Sequence, residues 1–590
     1  MSLFAIVALS AVCLLIAYFT YGPLLVRLFD LRADRPTPAV QMRDDVDYAP
    51  IESKFLLSQH FSAIAAAGPI VGPILAGVLF GWLPALLWIL IGSIFIGGIH
   101  DMSALVASIR HKARSIAEVV REHMNGRSYV LFLAFVWLAL VYIIVAFTDV
   151  TASSFLGVVE LENGDQVSGG GIASSSLLYL ALPIIMGLLL KFTRLTLNQA
   201  TIIFLPLVLL SIWAGQFIPF DLAEVFGLTN DQAHLTWNVA LLLYCIVASL
   251  VPMWLLLQPR GHLGGYFLYV VLAAGAIGVM FGGNAIEYPA FIGWDIPSAN
   301  GATRSLFPLL FITIACGACS GFHSVIASGT TSKQLQHETD ARPIGYGAML
   351  LEAMVAIVSL SCVMILKPDS PLLADGTPKP NFLYARGIGG FMSILGIPPA
   401  FAVSFGLMAF TTFVYDTLDV CTRLGRYILQ ELTGMQGRAG RWLATGVTAG
   451  APLLFLIWKP TDGSGKPAWR IFWDLFGASN QLLAALTLLG VTVWLWRTQR
   501  KRWVLFLIGL PCVFMYVMSM WALSITLWPL AQAFGSGNFA DGSPVWNPVP
   551  WVALVLTGLG VLLAIEAIIV LTQGAAPPAL GEEPVPAAAS

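Results

Sequence analysis

The sequence predicts an all-α polytopic membrane protein with about fifteen transmembrane helices, and three observations carry that expectation. Of 590 residues, 58% are hydrophobic and 11% charged, with a mean hydropathy of +0.82. A helix crosses the hydrocarbon layer with about 20 apolar residues, and fifteen such stretches can be marked off. Lys and Arg then fall unevenly on the two sides. With the N-terminus outside, the outer loops hold only Arg304, Lys367, Lys379, Arg386, Lys459, Lys466 and Arg470, which leaves 23 of the 30 basic residues inside. A missed helix would scramble every later loop, so the bias supports the count independently.

The first span, 3–25, has no basic leader region and no small-residue cleavage site, so it is expected to be a retained helix. The loop 26–56 carries Arg27, Arg32, Arg35, Arg43 and Lys54. The second span, 57–80, holds His60 and two Gly-Pro pairs, Gly68-Pro69 and Gly72-Pro73. Each proline lacks an N–H and crowds the carbonyl four residues back, and each glycine leaves the loosened backbone uncovered. A broken helix is expected, tolerable in lipid only where the freed groups face protein, ligand or water; a kinked packing helix is the alternative.

Spans 83–109 and 128–150 flank a basic amphipathic segment, Arg110 to Arg127, expected to lie at anionic headgroups. Spans 174–190, 197–217, 236–257 and 265–283 follow, and the outer loops 151–173 and 218–235 contain acids but no Lys or Arg. The ninth span, 304–328, is the second anomaly. Its middle reads Cys316-Gly-Ala-Cys-Ser-Gly-Phe-His-Ser324, a small-residue run that predicts a break or a very close helix contact. It lies an odd number of spans after 57–80, so the two cross in opposite directions, as an inverted repeat requires. Spans 343–366, 396–420, 441–458, 469–495, 503–524 and 549–572 complete the chain. The expected division is a first helix and cytoplasmic loop (1–56), a first repeat (57–303), a second repeat (304–572) and a disordered Ala- and Pro-rich tail (573–590).

No loop exceeds about thirty residues, so there is no room for a soluble ATPase domain. Gly463-Ser-Gly-Lys-Pro467 fails as a phosphate loop, because Pro460 and Pro467 stand where glycine and Ser or Thr are needed. No H-E-x-x-H or G-x-S-x-G pattern suggests an enzyme. Seven cysteines, nearly all in apolar spans, give no disulfide framework, and Cys316 with Cys319 reads as packing rather than metal or redox chemistry. No cofactor, metal or nucleic-acid partner is expected; the partners are the lipid bilayer and a small molecule.

The segments SQHFSAIAAAGPIVGPILAG (58–77), GGIHDMSALVASIRHKARSIAEV (97–119), CSGFHSVIASGTTSKQL (319–335) and TTFVYDTLDVCTRLGRYILQE (411–431) resemble the carbon starvation protein A (CstA) family of bacterial inner-membrane transporters. The resemblance covers about residues 20 to 530, and the chain looks shorter at its C-terminal end than typical members. It implies secondary active uptake, either proton-coupled import of pyruvate or a similar small monocarboxylate, or import of peptides or amino acids on carbon starvation. It also implies kinship with the amino acid–polyamine–organocation superfamily, hence a LeuT-like core of two inverted repeats with broken helices. The C-terminus would be cytoplasmic.

A carboxylate substrate needs oriented donors. Half-helix N-termini at Gly68 and Gly72, and at Gly317 to Gly321, would supply N–H groups, with Ser320, Ser324 and His323 beside them. No basic residue is expected mid-span. Ionisable groups cost about 2.5–3.5 kcal/mol at a helix centre, so His60, His100, Asp101 and Glu352 stand out as proton-coupling candidates, against a reading as hydrogen-bonded packing residues. By analogy with LeuT-like proteins, Thr411 and Thr412 with carbonyls from Ala65 to Gly68 would hold Na⁺ if sodium replaces H⁺ as coupling ion. Asp416, Asp419, Arg423 and Arg426 follow at helical spacing, with Asp419 and Arg423 at i, i+4, and read as a gating ion network at the cytoplasmic end. Asn480-Gln481 would be polar glue or a cavity wall.

Overall fold

The computed structural model describes residues 2–44, 48–160, 166–297, 303–373, 379–435, 437–458, 468–499, 501–537, 539 and 543–572. The tail 573–590 and the segment Gly463 to Pro467 lie outside the described residues. In chain order the main helices are α1 (Leu3–Leu28), α2 (Ser53–Ile64), α3 (Gly68–Phe80), α4 (Trp82–Arg110), α5 (Ile116–His123), α6 (Gly126–Ser154), α7 (Gly169–Phe192), α8 (Leu197–Gly215), α9 (Asn230–Leu250) and α10 (Leu257–Phe281). They continue as α11 (Leu306–Thr313), α12 (Gly321–Gly329), α13 (Glu338–Met364), α14 (Pro380–Ser393), α15 (Pro399–Thr433), α16 (Gly437–Trp458), α17 (Trp469–Gln499), α18 (Arg502–Ser536) and α19 (Pro548–Thr572).

Among the described residues, 13 helices are long and apolar enough to cross a membrane, and α2 with α3 forms a further span bent by 47° at its break. The pair α11 and α12 occupies the remaining stretch, so each expected span has a helix or a broken pair in its place. α13, α15 and α17 are almost wholly buried, whereas α1, α18 and α19 expose most of their apolar surface. The first three therefore form the centre and the last three its lipid-facing rim.

Both breaks exist, and the first is shifted from its expected place. The chain unwinds at Ala65 to Ala67, just before the first Gly-Pro pair, and Pro69 sits in the first turn of α3, where its missing N–H costs nothing. Gly72-Pro73 is inside α3, so Gly72 marks no half-helix N-terminus. Its role is close approach: a Cβ there would stand 2.5 Å from the Thr313 carbonyl at the end of α11. Gly68 in turn abuts the Cys316 side chain, so the two breaks pack against each other.

Three features escape the sequence pattern. α14, too short and too polar to read as a span, is a buried helix in an expected outer loop, with Tyr384 and Phe391 covered. α15 runs far past residue 420. Its 35 residues reach about 52 Å at 1.5 Å per residue, and it stops at Gly434, whose φ of 69° is the usual left-handed helix terminator. α5 packs Ile116, Ala117, Val119 and Val120 against α6 and α17, so its apolar face meets protein rather than headgroups. Short antiparallel hairpins, Val158–Glu160 with Gln166–Ser168 and Asp295–Pro297 with Thr303–Ser305, cap two of the loops.

Candidate functional site

Two π-helical turns prepare the centre. One, Ser93–Gly97, lies in α4 just before His100-Asp101; the other, Arg342–Gly347, lies in α13 before Glu352. Such turns shift the side chains that follow and recur at functional sites. Gly97 lets the Ala318 carbonyl in the second break come against α4, where any side chain would collide. α4, α12 and α13 thus meet around one carboxylate.

That carboxylate is Asp101, fully buried and bonded on both oxygens. His100 Nδ1 lies 2.7 Å from Oδ1, and His323 Nδ1, from α12, lies 2.7 Å from Oδ2. The other face of His323 presents Nε2 at 3.2 Å from Glu352 Oε2, on α13. Four of the expected proton-coupling or binding residues therefore form one buried chain, His100–Asp101–His323–Glu352, linking three helices. His60 is elsewhere: its Nδ1 pairs at 2.9 Å with Thr331 Oγ1, and it lines a cavity of about 30 Å³ with Ala63, Gly261 and Asp416. That is room for about one water.

The second break is held by α17 and α4. Asn480 Oδ1 accepts from the Phe322 N–H at 2.9 Å, capping the first turn of α12, and Asn480 Nδ2 donates to Ser320 Oγ at 3.0 Å. Gln481 donates to the Phe311 carbonyl at 3.2 Å, and Trp88 Nε1 to the Ile314 carbonyl at 3.2 Å. Freed backbone groups are thus satisfied by side chains, as an apolar surrounding demands. Ser324 donates to the Gly321 carbonyl and pairs with Thr487, and Gly321 is pressed against α17. In this conformation the Phe322 N–H and the Ser320 and Ser324 hydroxyls at α12 are already engaged by protein.

The expected gating network is rearranged. Asp416 and Asp419 do not pair with Arg423 or Arg426. Their partner is Arg260 in the first turn of α10, whose Nε lies 2.8 Å from Asp416 Oδ1 and whose Nη1 contacts Asp419 Oδ2. Tyr244 donates to Asp419 at 2.7 Å, Ser62 of α2 donates to Asp416, and the guanidinium lies over the rings of Tyr244 and Tyr415. Arg423 instead donates to the Ala248 and Val251 carbonyls at the end of α9, at 2.6 and 2.7 Å, and Arg426 stacks on Tyr427. Arg260, placed by hydropathy in a polar loop, is 1% exposed. Its one sequence signal was its neighbourhood of Gly261, Gly264 and Gly265, small residues that let α2 and α15 close around it.

The expected sodium ligands diverge. Thr411 Oγ1 donates to the Met408 carbonyl and faces Ser176 of α7, while Thr412 Oγ1 is buried without a partner among the described residues. Cys316, His323 and Glu352 each offer an atom within 4.8 Å of the others, a spacing a metal ion could bridge. His323 Nδ1, however, is already bonded to Asp101.

The family model described as carbon starvation protein CstA matches residues 2–379 and 370–522. A protein of Bacillus subtilis (strain 168) named peptide transporter CstA is 31% identical over 604 residues, covering 95% of this chain and 96% of its own. The pyruvate/proton symporter BtsT of Escherichia coli (strain K12) is also 31% identical, covering 88% of this chain and 81% of its own. A solved manganese transporter of Eremococcus coleocola aligns at 12% identity with a TM-score of 0.48, over 90% of this chain and 99% of that one.

Proposed function

The chain belongs to the carbon starvation protein CstA family of transporters, and on that premise we propose that it imports pyruvate or a similar small monocarboxylate by proton symport. The buried chain His100–Asp101–His323–Glu352 carries this reading. Asp101 accepts on both oxygens, so both histidines present Nδ1–H to it. A neutral His323 then has a bare Nε2, which stands 3.2 Å from Glu352 Oε2 without a hydrogen bond to it. An ionised Glu352 would put a second negative charge in the buried chain beside Asp101; a proton gained on Nε2 makes His323 an imidazolium between the two carboxyl groups. The unit can therefore take up and release a proton with no change in the backbone around it. Because His323 rides on the half-helix α12, a shift of α12 against α4 would separate it from Asp101 and couple proton release to the alternation of access.

In this reading the substrate carboxylate displaces the Asn480 side chain from the N–H groups at the start of α12, close to Ser320, Gly321 and Ser324 and to the facing end of α3 at Gly68. Transport without a catalysed reaction is the activity. Placement in a bacterial inner membrane is what kinship with the family suggests, and the Lys and Arg bias supports an N-terminus outside and a C-terminus in the cytoplasm.

A second reading is import of peptides or amino acids, the activity named for the B. subtilis relative. Asp416 and Asp419 share one Arg260, so the knot holds one carboxylate more than cations, and Asp416 borders the small cavity at His60, a place to receive an ammonium group. Sodium coupling through Thr411 and Thr412 is the alternative to protons. Uptake of labelled pyruvate into proteoliposomes, under an imposed pH or sodium gradient and with unlabelled dipeptide as competitor, tests these readings. Accumulation driven by the pH gradient and indifferent to dipeptide is the expected result. Peptide uptake without pyruvate uptake would move the assignment to the second reading.

A further inference from the structure

At the other end of α4, remote from the transport chain, a second group of histidines comes together. After Arg110 the chain reverses through His111, Lys112 and Ala113. Lys112 and Ala113 have φ of 59° and 53°, a left-handed conformation that costs a non-glycine residue about 1–2 kcal/mol. The Ala113 N–H bonds the Ser108 carbonyl at 2.8 Å, and Ser108 Oγ donates to the Arg114 carbonyl at 2.7 Å, holding the turn. The reversal brings the end of α5 back over the end of α4, so that His111 Nε2 and His123 Nε2 stand 2.8 Å apart.

The His111 ring is oriented as a metal ligand would be. Its Nδ1–H donates to the Ala107 carbonyl at 2.6 Å, which fixes the tautomer and leaves the Nε2 lone pair facing His123 Nε2. Trp494 of α17 packs edge-on against the same ring. Glu122, next to His123, is exposed, and a carboxylate oxygen of it comes within 4.8 Å of a ring nitrogen of each histidine. Arg497 Nη1 donates to the His123 carbonyl at 2.5 Å.

We propose that His111, His123 and Glu122 form a binding site for a divalent transition-metal ion of the Zn²⁺ class, held through two Nε2 atoms and one carboxylate oxygen, with water at the fourth position. Tetrahedral Zn²⁺ with bonds of about 2.0–2.1 Å sets its two nitrogens roughly 3.3 Å apart, so the pair opens by about half an ångström to admit it. The spacing of His111, Glu122 and His123 matches no short metal motif, because the ligands come from two helices joined by the strained turn. Occupancy would clip the end of α4, ten residues beyond Asp101, to α5.

Calorimetric titration of the purified full-length protein in detergent with Zn²⁺ tests the proposal. One equivalent is expected to bind, with His123→Ala and His111→Ala each weakening affinity at least about 100-fold and Glu122→Gln about tenfold. Melting curves of the metal-free variants show that each is folded, and the exposed Glu122 can be changed without touching the core. Cys316→Ala is expected to bind as the wild type does. No stoichiometric binding by the wild type overturns the site, as does unchanged affinity in His123→Ala and Glu122→Gln. Loss of binding in Cys316→Ala alone also overturns it, by placing the ion at Cys316, His323 and Glu352.

Discussion

Two of the buried clusters of charge-bearing side chains are built on opposite plans. The chain His100–Asp101–His323–Glu352 contains only groups that titrate, arranged in a line between α4, α12 and α13. The knot of Asp416 and Asp419 is closed around Arg260, a cation that never gives up its proton, and roofed by Tyr244 and Tyr415. A line of titratable groups can hold its protons in more than one arrangement. A guanidinium between carboxylates has one. The first cluster is suited to a switch and the second to a strut that ties α10, α15 and α2 together.

That contrast can be broken by experiment, beginning with the largest effect. Asp101→Asn keeps the shape of the site but can no longer accept from two Nδ1–H groups, so proton-driven accumulation is expected to vanish while the protein still inserts. Normal accumulation by this variant in proteoliposomes would remove the chain from coupling. Arg260→Met leaves two carboxylates unpaired in the core and is expected to destabilise by about 3–5 kcal/mol, read as lost melting temperature in detergent. A variant that melts normally but accumulates no substrate would show that the knot, too, is a switch.

Smaller changes sharpen the border between the two. Asn480→Ala strips the cap from α12 and should cost about 1–3 kcal/mol, with altered substrate affinity as well if the carboxylate binds where Asn480 now sits; equal affinity in binding assays would make Asn480 glue alone. Thr331→Val removes the His60 partner and is expected to cost about 1 kcal/mol with uptake intact. Uptake lost in that variant would enrol His60 in the switch, to which no hydrogen bond connects it here.

The candidate residues were legible because charge in lipid is expensive, so the few that persist mark themselves. Their grouping was not. His100 and Asp101 are neighbours in the chain, but His323 is 222 residues from Asp101, and only the packing of two π turns and a broken helix makes them one unit. The pairing of Asp419 with Arg423 looked reasonable at i, i+4, yet Arg423 turned to the backbone carbonyls that end α9 and Arg260 took its place. Helical spacing reports what can meet along one helix and is silent about a better partner on the next.

By itself the sequence determined the all-α polytopic class, the presence of the two breaks, and the list of groups able to carry a proton. These are local consequences of apolar length, of Gly and Pro on the backbone, and of the cost of charge in hydrocarbon. The tertiary structure alone decided where the first break falls, that α14 and the end of α15 are buried helices, and which ionisable groups stand together. Those outcomes depend on surfaces meeting across long separations in the chain, where a glycine admits a neighbouring carbonyl and a buried polar group takes whichever partner the packing brings within reach.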